Sequence, residues 1–197
     1  GPAPRLHVGP ALQAGDRRAY GPFASNARTV DALRALADLL GLRDCSDKVP
    51  LVFAAQGDLF GGNGTAQCPR HDFGTCTGPC AGLVAELDYW RRVEVATAFI
   101  EGRTLEPIAR VVAAMQEAIA HEQFERAAYW RQRFEHLEWL LAATSRARTA
   151  IDLLTFVYRD PGDFGDDRAY LVRHGVVRAS YPWPATPIER EAFQAVV

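Results

Sequence analysis

All four cysteines of the chain, Cys45, Cys68, Cys76 and Cys80, fall within 36 of its 197 residues, spaced C-x22-C-x7-C-x3-C. Random placement would scatter them, and four soft thiolates that meet at one point can hold tetrahedral zinc or an iron–sulfur cluster. Structural zinc knuckles favour two-residue spacers, and the chain has no CxxC pair, so the spacing leans toward a cluster. Two disulfides or four unligated thiols are the alternatives; both fit a cytoplasmic chain less well. His71 lies between two of the cysteines, but a histidine on such a loop is more often a surface residue than a ligand, and it is left out of the set. The glycine-rich stretch Gly57-Asp58-Leu59-Phe60-Gly61-Gly62-Asn63-Gly64 is unsuited to regular structure, so residues 41–80 read as a loop pinned by its cysteines.

Around this loop the hydrophobic pattern is helical. Val30, Leu33, Leu36, Ala37 and Leu40 predict a helix over 28–40 that Gly41 closes. Leu83, Leu87, Trp90, Val93, Ala96 and Ile100 mark a second, ending at Gly102, and Thr104 can cap a third that carries Ile108, Val111, Val112, Met115 and Ile119. A fourth carries Phe124, Ala127, Trp130, Phe134, Leu137 and Leu141, and the short link at His121 folds these last two into an antiparallel hairpin. Beyond Thr149 the pattern turns to strands at Leu153–Tyr158, Ala169–Val172 and Val176–Tyr181, and a last helix starts after the capping sequence Thr186, Pro187, Glu189. Leu6-His7-Val8 would suit an edge strand and Ala14-Gly15-Asp16 a turn. The expected fold is α+β and mainly α-helical: a tail or linker (1–24), a helical four-cysteine module (25–102), a helical hairpin (103–149) and a small antiparallel β-rich region (150–197).

Composition limits what such a fold can do. Twenty-two basic and 24 acidic residues give a net charge of −2, too little for an autonomous, tight nucleic-acid binder, so any DNA contact is local or assisted. Arg43, Lys48 and Arg70, close to the cysteines, are the candidates for a phosphate site. No apolar run approaches the roughly 18 to 20 residues of a membrane span, and the N-terminus lacks the order of a signal peptide, which points to a cytoplasmic protein without a membrane partner. The opening Gly1-Pro2 has the form of a protease scar, which would make the chain a segment of a larger protein. The acidic residues Asp160, Asp163, Asp166 and Asp167 read as a solvated hairpin turn rather than a cation site.

Four blocks, in order, carry a resemblance. Tyr20-Gly21-Pro22-Phe23-Ala24-Ser25 is similar to the YFGPYPS segment that leaves the GIY-YIG nuclease domain of UvrC proteins. Leu42-Arg43-Asp44-Cys45-Ser46-Asp47 resembles their LRTCSD, and Gly74-Thr75-Cys76-Thr77-Gly78-Pro79-Cys80-Ala81-Gly82-Leu83 their GRC-x-x-PC-x-GL. Phe124-Glu125-Arg126-Ala127-Ala128, with Met115 before it and Arg131 after, resembles the UVR motif of UvrB and UvrC. The chain thus resembles the UvrC family, including Cho-like relatives, in the region after the nuclease domain.

The resemblance implies a DNA-repair endonuclease acting in nucleotide excision repair, with Cys45, Cys68, Cys76 and Cys80 on a [4Fe–4S] cluster. Phe124, Glu125 and Arg131 would face UvrB or another UVR-motif protein, and DNA would be reached through the parent protein. The family's nuclease residues belong to segments that the four blocks do not include, so no catalytic residue is assigned. Two features depart from the family: the insertion at Gly57–Gly64, and Trp130-Arg131-Gln132 where an Arg-Asp pair is usual. A non-enzymatic, zinc-binding UVR-motif adaptor is the alternative, although that family uses repeated CxxC pairs.

Overall fold

The computed structural model describes residues 2–9, 18–54, 64, 66 and 68–196. The turn expected at Ala14-Gly15-Asp16 and all of the glycine-rich stretch except Gly64 lie outside them. The described chain is mixed α+β and mainly helical, in the order α1 (Asn26–Leu40), α2 (Pro69–Asp72), α3 (Glu86–Ile100), α4 (Glu106–Ala120), α5 (Phe124–Leu153), β1 (Phe156–Asp160), β2 (Arg168–Arg173), β3 (Val176–Pro182) and α6 (Pro187–Gln194). It divides into two units, residues 1–145 and 146–197.

The first unit is built on the apolar faces read from the sequence. Leu36 and Leu40 of α1, Tyr89, Phe99 and Ile100 of α3, Val111 of α4 and Leu137 and Leu140 of α5 join one core with Leu42 and Phe53. Ser25 caps α1 through its Oγ, which accepts from the Arg28 N–H, and Gly41 closes the helix at φ 66°, a conformation in which an L side chain is strained. Thr104, expected as the cap of α4, lies one residue before the actual N-cap Leu105, though its Oγ1 accepts from the Glu106 N–H at 3.2 Å. Between α4 and α5 the chain reverses over 121–123 in a Schellman turn. The Gln123 N–H returns to Ala118 O at 2.8 Å and Glu122 N–H to Ile119 O at 3.0 Å, with Glu122 at φ 57°.

Two expectations change. Leu6-His7-Val8 is not a strand; its neighbours are pinned by side chains instead, with Ala3 O accepting from Arg43 Nε at 2.6 Å and Pro4 O from the Tyr89 hydroxyl at 2.8 Å. Helix α5 continues to Leu153, where a strand was expected to start, because 142–150 offers alanine and arginine and no helix breaker.

In the second unit β1, β2 and β3 form an antiparallel meander. His174 and Gly175, at φ 52° and 73°, make the two-residue β2–β3 turn with positive φ at both positions. Tyr158 pairs with Tyr170 across β1 and β2, their rings stacked 6.5 Å apart, and Tyr181 meets Phe193 of α6 edge-on at 5.8 Å. The α6 cap forms reciprocally, Glu189 N–H to Thr186 Oγ1 at 3.3 Å and Thr186 N–H to Glu189 Oε2 at 3.0 Å. Asp167 of the acidic loop accepts from Arg159 Nε at 2.9 Å and Gly162 N–H at 3.0 Å, which is the bonding of a hairpin turn.

Candidate functional site

The C-terminal end of α1 organises the cysteine loop. Gly41 O accepts both the backbone N–H and the hydroxyl of Thr77, at 2.9 and 3.0 Å, which seats the residue after Cys76 on the helix end. From the other side Val52 N–H donates to Pro79 O at 2.8 Å and Ala54 N–H to Val84 O at 3.0 Å, anchoring the stretch that holds Cys80. Cys68 precedes the single turn of α2, and Cys45 follows Leu42 out of the core.

Two guanidinium groups are sunk among the cysteine-bearing segments. Arg43 is only 5% exposed. Its Nη1 donates to Cys45 O at 3.1 Å and approaches Cys45 Sγ at 3.7 Å, and its Nη2 meets Asp47 Oδ1 at 2.7 Å. Burial disfavours its charge, but Asp47 and Cys45 more than offset this and the group's pKa is raised, so it remains a cation. Arg70 donates through Nη2 to Asp38 Oδ1 at 2.6 Å, Leu42 O at 3.3 Å and Thr75 O at 3.0 Å, while Nη1 lies against Asp44 as an ion pair without hydrogen-bond geometry. Two of the three residues expected to meet phosphate therefore have guanidinium donors bonded within the unit. Lys48 is exposed.

The thiols lie in one another's electrostatic reach. Burial pushes the Cys76 thiol up, the Gly78 N–H at 3.5 Å from its Sγ acts the other way, and Cys68 and Cys80 push it further up. Burial likewise raises Cys80, with Cys45 and Cys68 adding to the shift. Among the described residues no three His, Cys, Asp or Glu side chains stand as a ready-made ion-binding group. The donor set still suits a thiolate-bound centre: four thiols within one another's electrostatic reach, two guanidinium cations among their segments, one buried and one half-buried, and an N–H directed at one sulfur. His71 turns its Nδ1 to Cys76 O at 3.1 Å, a loop-stabilising contact.

The second feature is the tip of the α4–α5 hairpin. Phe124, at the start of α5, is 69% exposed, and Ile119 and Tyr129 are 51% and 45% exposed. Glu125 is exposed beside Phe124, and Arg131 pairs with Glu135 at 3.2 Å on the open face of α5. Small residues near the tip are buried, Ala118 and Ala127 being 2% and 9% exposed. Large side chains outside and alanines inside suit a surface that docks against a partner helix pair.

Several contributors carried little sequence signal. Asp38 and Arg133 meet across 95 residues. Gly78 is flagged only by its place between Cys76 and Pro79; a Cβ there would stand 3.0 Å from Leu83 Cδ1, and its φ is +70°.

Comparison with known proteins agrees with this division. The family model for the middle domain of the UvrC/Cho excinuclease matches residues 2–99, and the UvrB/UvrC motif matches residues 106–138. The UvrABC system protein C of Methylococcus capsulatus is 30% identical over 87% of this chain and 26% of its own length; that of Xanthomonas campestris is 30% identical over 93% and 32%. The Alcanivorax borkumensis protein is 33% identical over 63% of this chain and 19% of its own length. No solved structure matches. A cysteine-bearing helical module followed by a UVR-type hairpin defines the class, and the chain belongs to the UvrC/Cho family. It spans only about a fifth to a third of the length of these relatives. Among the described residues no helix is long and apolar enough to cross a membrane.

Proposed function

We propose that the chain serves a UvrC-type DNA-repair nuclease of nucleotide excision repair, supplying a metal-organised module and a docking hairpin rather than the nuclease chemistry. In this reading Cys45, Cys68, Cys76 and Cys80 hold a [4Fe–4S] cluster, which would supply a rigid, redox-capable cross-link joining the loop to α1. What supports the reading is that the four thiols lie within one another's electrostatic reach, with Arg43 buried and Arg70 half-buried among their segments, in a chain whose residues 106–138 match the UVR motif. Arg43 opposes the thiolate charge at Cys45 and holds the backbone of 45–46 in place through its bonds to two carbonyls. Arg70 braces the loop from within.

The hairpin then docks UvrB or another UVR-motif protein through Phe124, Glu125 and Arg131, and DNA is contacted through the whole protein. Of the three basic residues near the cysteines, Lys48 is the one whose exposure suits a phosphate contact.

The deciding experiment purifies the protein without oxygen and quantifies iron, acid-labile sulfide and zinc, then measures binding to UvrB. About four irons and four sulfides per chain are expected, with affinity lowered at least about tenfold by Phe124→Ala. Zinc alone would replace the cluster with the zinc-adaptor reading. UvrB binding unchanged by Phe124→Ala would remove the docking assignment.

A further inference from the structure

Asp38, in the last turn of α1, gives one oxygen to each of two arginines from distant parts of the first unit. Oδ1 accepts from Arg70 Nη2 at 2.6 Å and Oδ2 from Arg133 Nη2 at 3.3 Å. The three side chains are 13%, 14% and 15% exposed, so water and salt screen the triad little, and removing one member leaves charge poorly compensated. At one end Arg70 lies two residues after Cys68 and holds Thr75 O, the carbonyl beside Cys76. At the other end Arg133 sits with its guanidinium carbon 4.4 Å from the centre of the Tyr129 ring. Tyr129 is 45% exposed on the stretch of α5 that begins with Phe124.

A carboxylate with both oxygens engaged has little freedom to turn. Loosening Arg70 frees Asp38, and a freed Asp38 no longer orients Arg133 over Tyr129. We propose that Asp38 is a positioning residue that couples the cysteine loop to the partner face of the hairpin, so that metal held by the cysteines orders that face for docking. This rests on reading the cysteines as a metal site and the hairpin as a docking site, and it adds that the two are thermodynamically linked.

The test is amide hydrogen exchange, read by mass spectrometry over 117–133 and 68–80 in the full chain purified without oxygen. Stripping the metal with a chelator should speed exchange over 117–133 about tenfold, the scale of one charged hydrogen bond lost. Arg70→Gln should do the same, while Arg131→Gln, a surface pair, should leave 68–80 unchanged. An Arg70→Gln protein that loosens 68–80 but keeps 117–133 within about twofold of wild type would overturn the coupling. So would stripped protein with an unaltered hairpin. Protein that never holds metal would sink the cysteine reading and with it the loading step, while the Arg70→Gln comparison would still decide whether the joint exists. Should Arg70→Gln not fold, Arg133→Gln read over 68–80 asks the same question from the other end, with faster exchange supporting the coupling and no change refuting it.

Discussion

Gly41→Ala tests whether the end of α1 is what seats the cysteine loop. Gly41 sits at φ +66°, and an added Cβ would lie 2.9 Å from Thr77 Cγ2. The left-handed backbone alone costs an L residue about 1–2 kcal/mol. The clash adds to this, because Thr77 must move and can lose its two bonds to Gly41 O, each worth about 1 kcal/mol. The expected loss is therefore about 2–4 kcal/mol. Gly102→Ala is the control. Its φ is +70° and nothing lies within 4 Å of the added Cβ, so only the backbone term of about 1–2 kcal/mol applies. Both glycines belong to the first unit, so one urea transition followed by circular dichroism reads both, as midpoint shifts at constant slope. Gly41→Ala should be the costlier by about 1–2 kcal/mol, and it alone should reduce metal retention. Equal shifts for the two variants would refute the argument that Thr77 is held through this contact.

Two further outcomes follow from named residues. Glu122→Gly should stabilise the first unit by about 0.5–1 kcal/mol, because the turn holds Glu122 at φ 57°; thermal unfolding that is unchanged or lowered would count against the strain. Glu101 shapes the acid limb of stability. Burial pushes its pKa up, but hydrogen bonds from Arg103 and Tyr20 and the charges of Arg103 and Arg18 hold it below the ordinary carboxylate value. A depressed carboxylate stabilises above its unfolded pKa and loses that contribution as pH falls through its folded one. Glu101→Gln should therefore lower stability at neutral pH and flatten its decline below about pH 4.5, seen in urea midpoints taken from pH 7 downward.

How far the sequence discloses the structure depends on the range of the interaction. Helix caps are local: Gly41 for α1, Thr186 and Glu189 for α6, and the His174-Gly175 turn are legible because a few neighbouring residues determine them. The end of α5 is not, since Ile151-Asp152-Leu153-Leu154 suits either a last helical turn or the start of a strand, and the chain's route into β1 decides between them. The Leu6-His7-Val8 run misleads for a similar reason. Its neighbours Ala3 and Pro4 are pinned by Arg43 and Tyr89, contacts 40 and 85 residues away that leave no local pattern.

The same distinction runs through the candidate site. The cysteines and the hairpin tip are conspicuous because a ligand set and an exposed aromatic turn are properties of residue type and spacing. The residues that connect them are ordinary charges, and basic character near the cysteines suggests a phosphate contact until burial is known. Arg43 at 5% exposure has its guanidinium on carbonyls, a carboxylate and the edge of a thiol, and Arg70 has its own on Asp38 and Asp44. If the cysteines hold a metal centre as proposed, arginines bonded within the unit would serve it by offsetting thiolate charge from within rather than by recruiting phosphate from outside. Replacing either would then be felt first in metal retention and loop order, and in DNA affinity only through them.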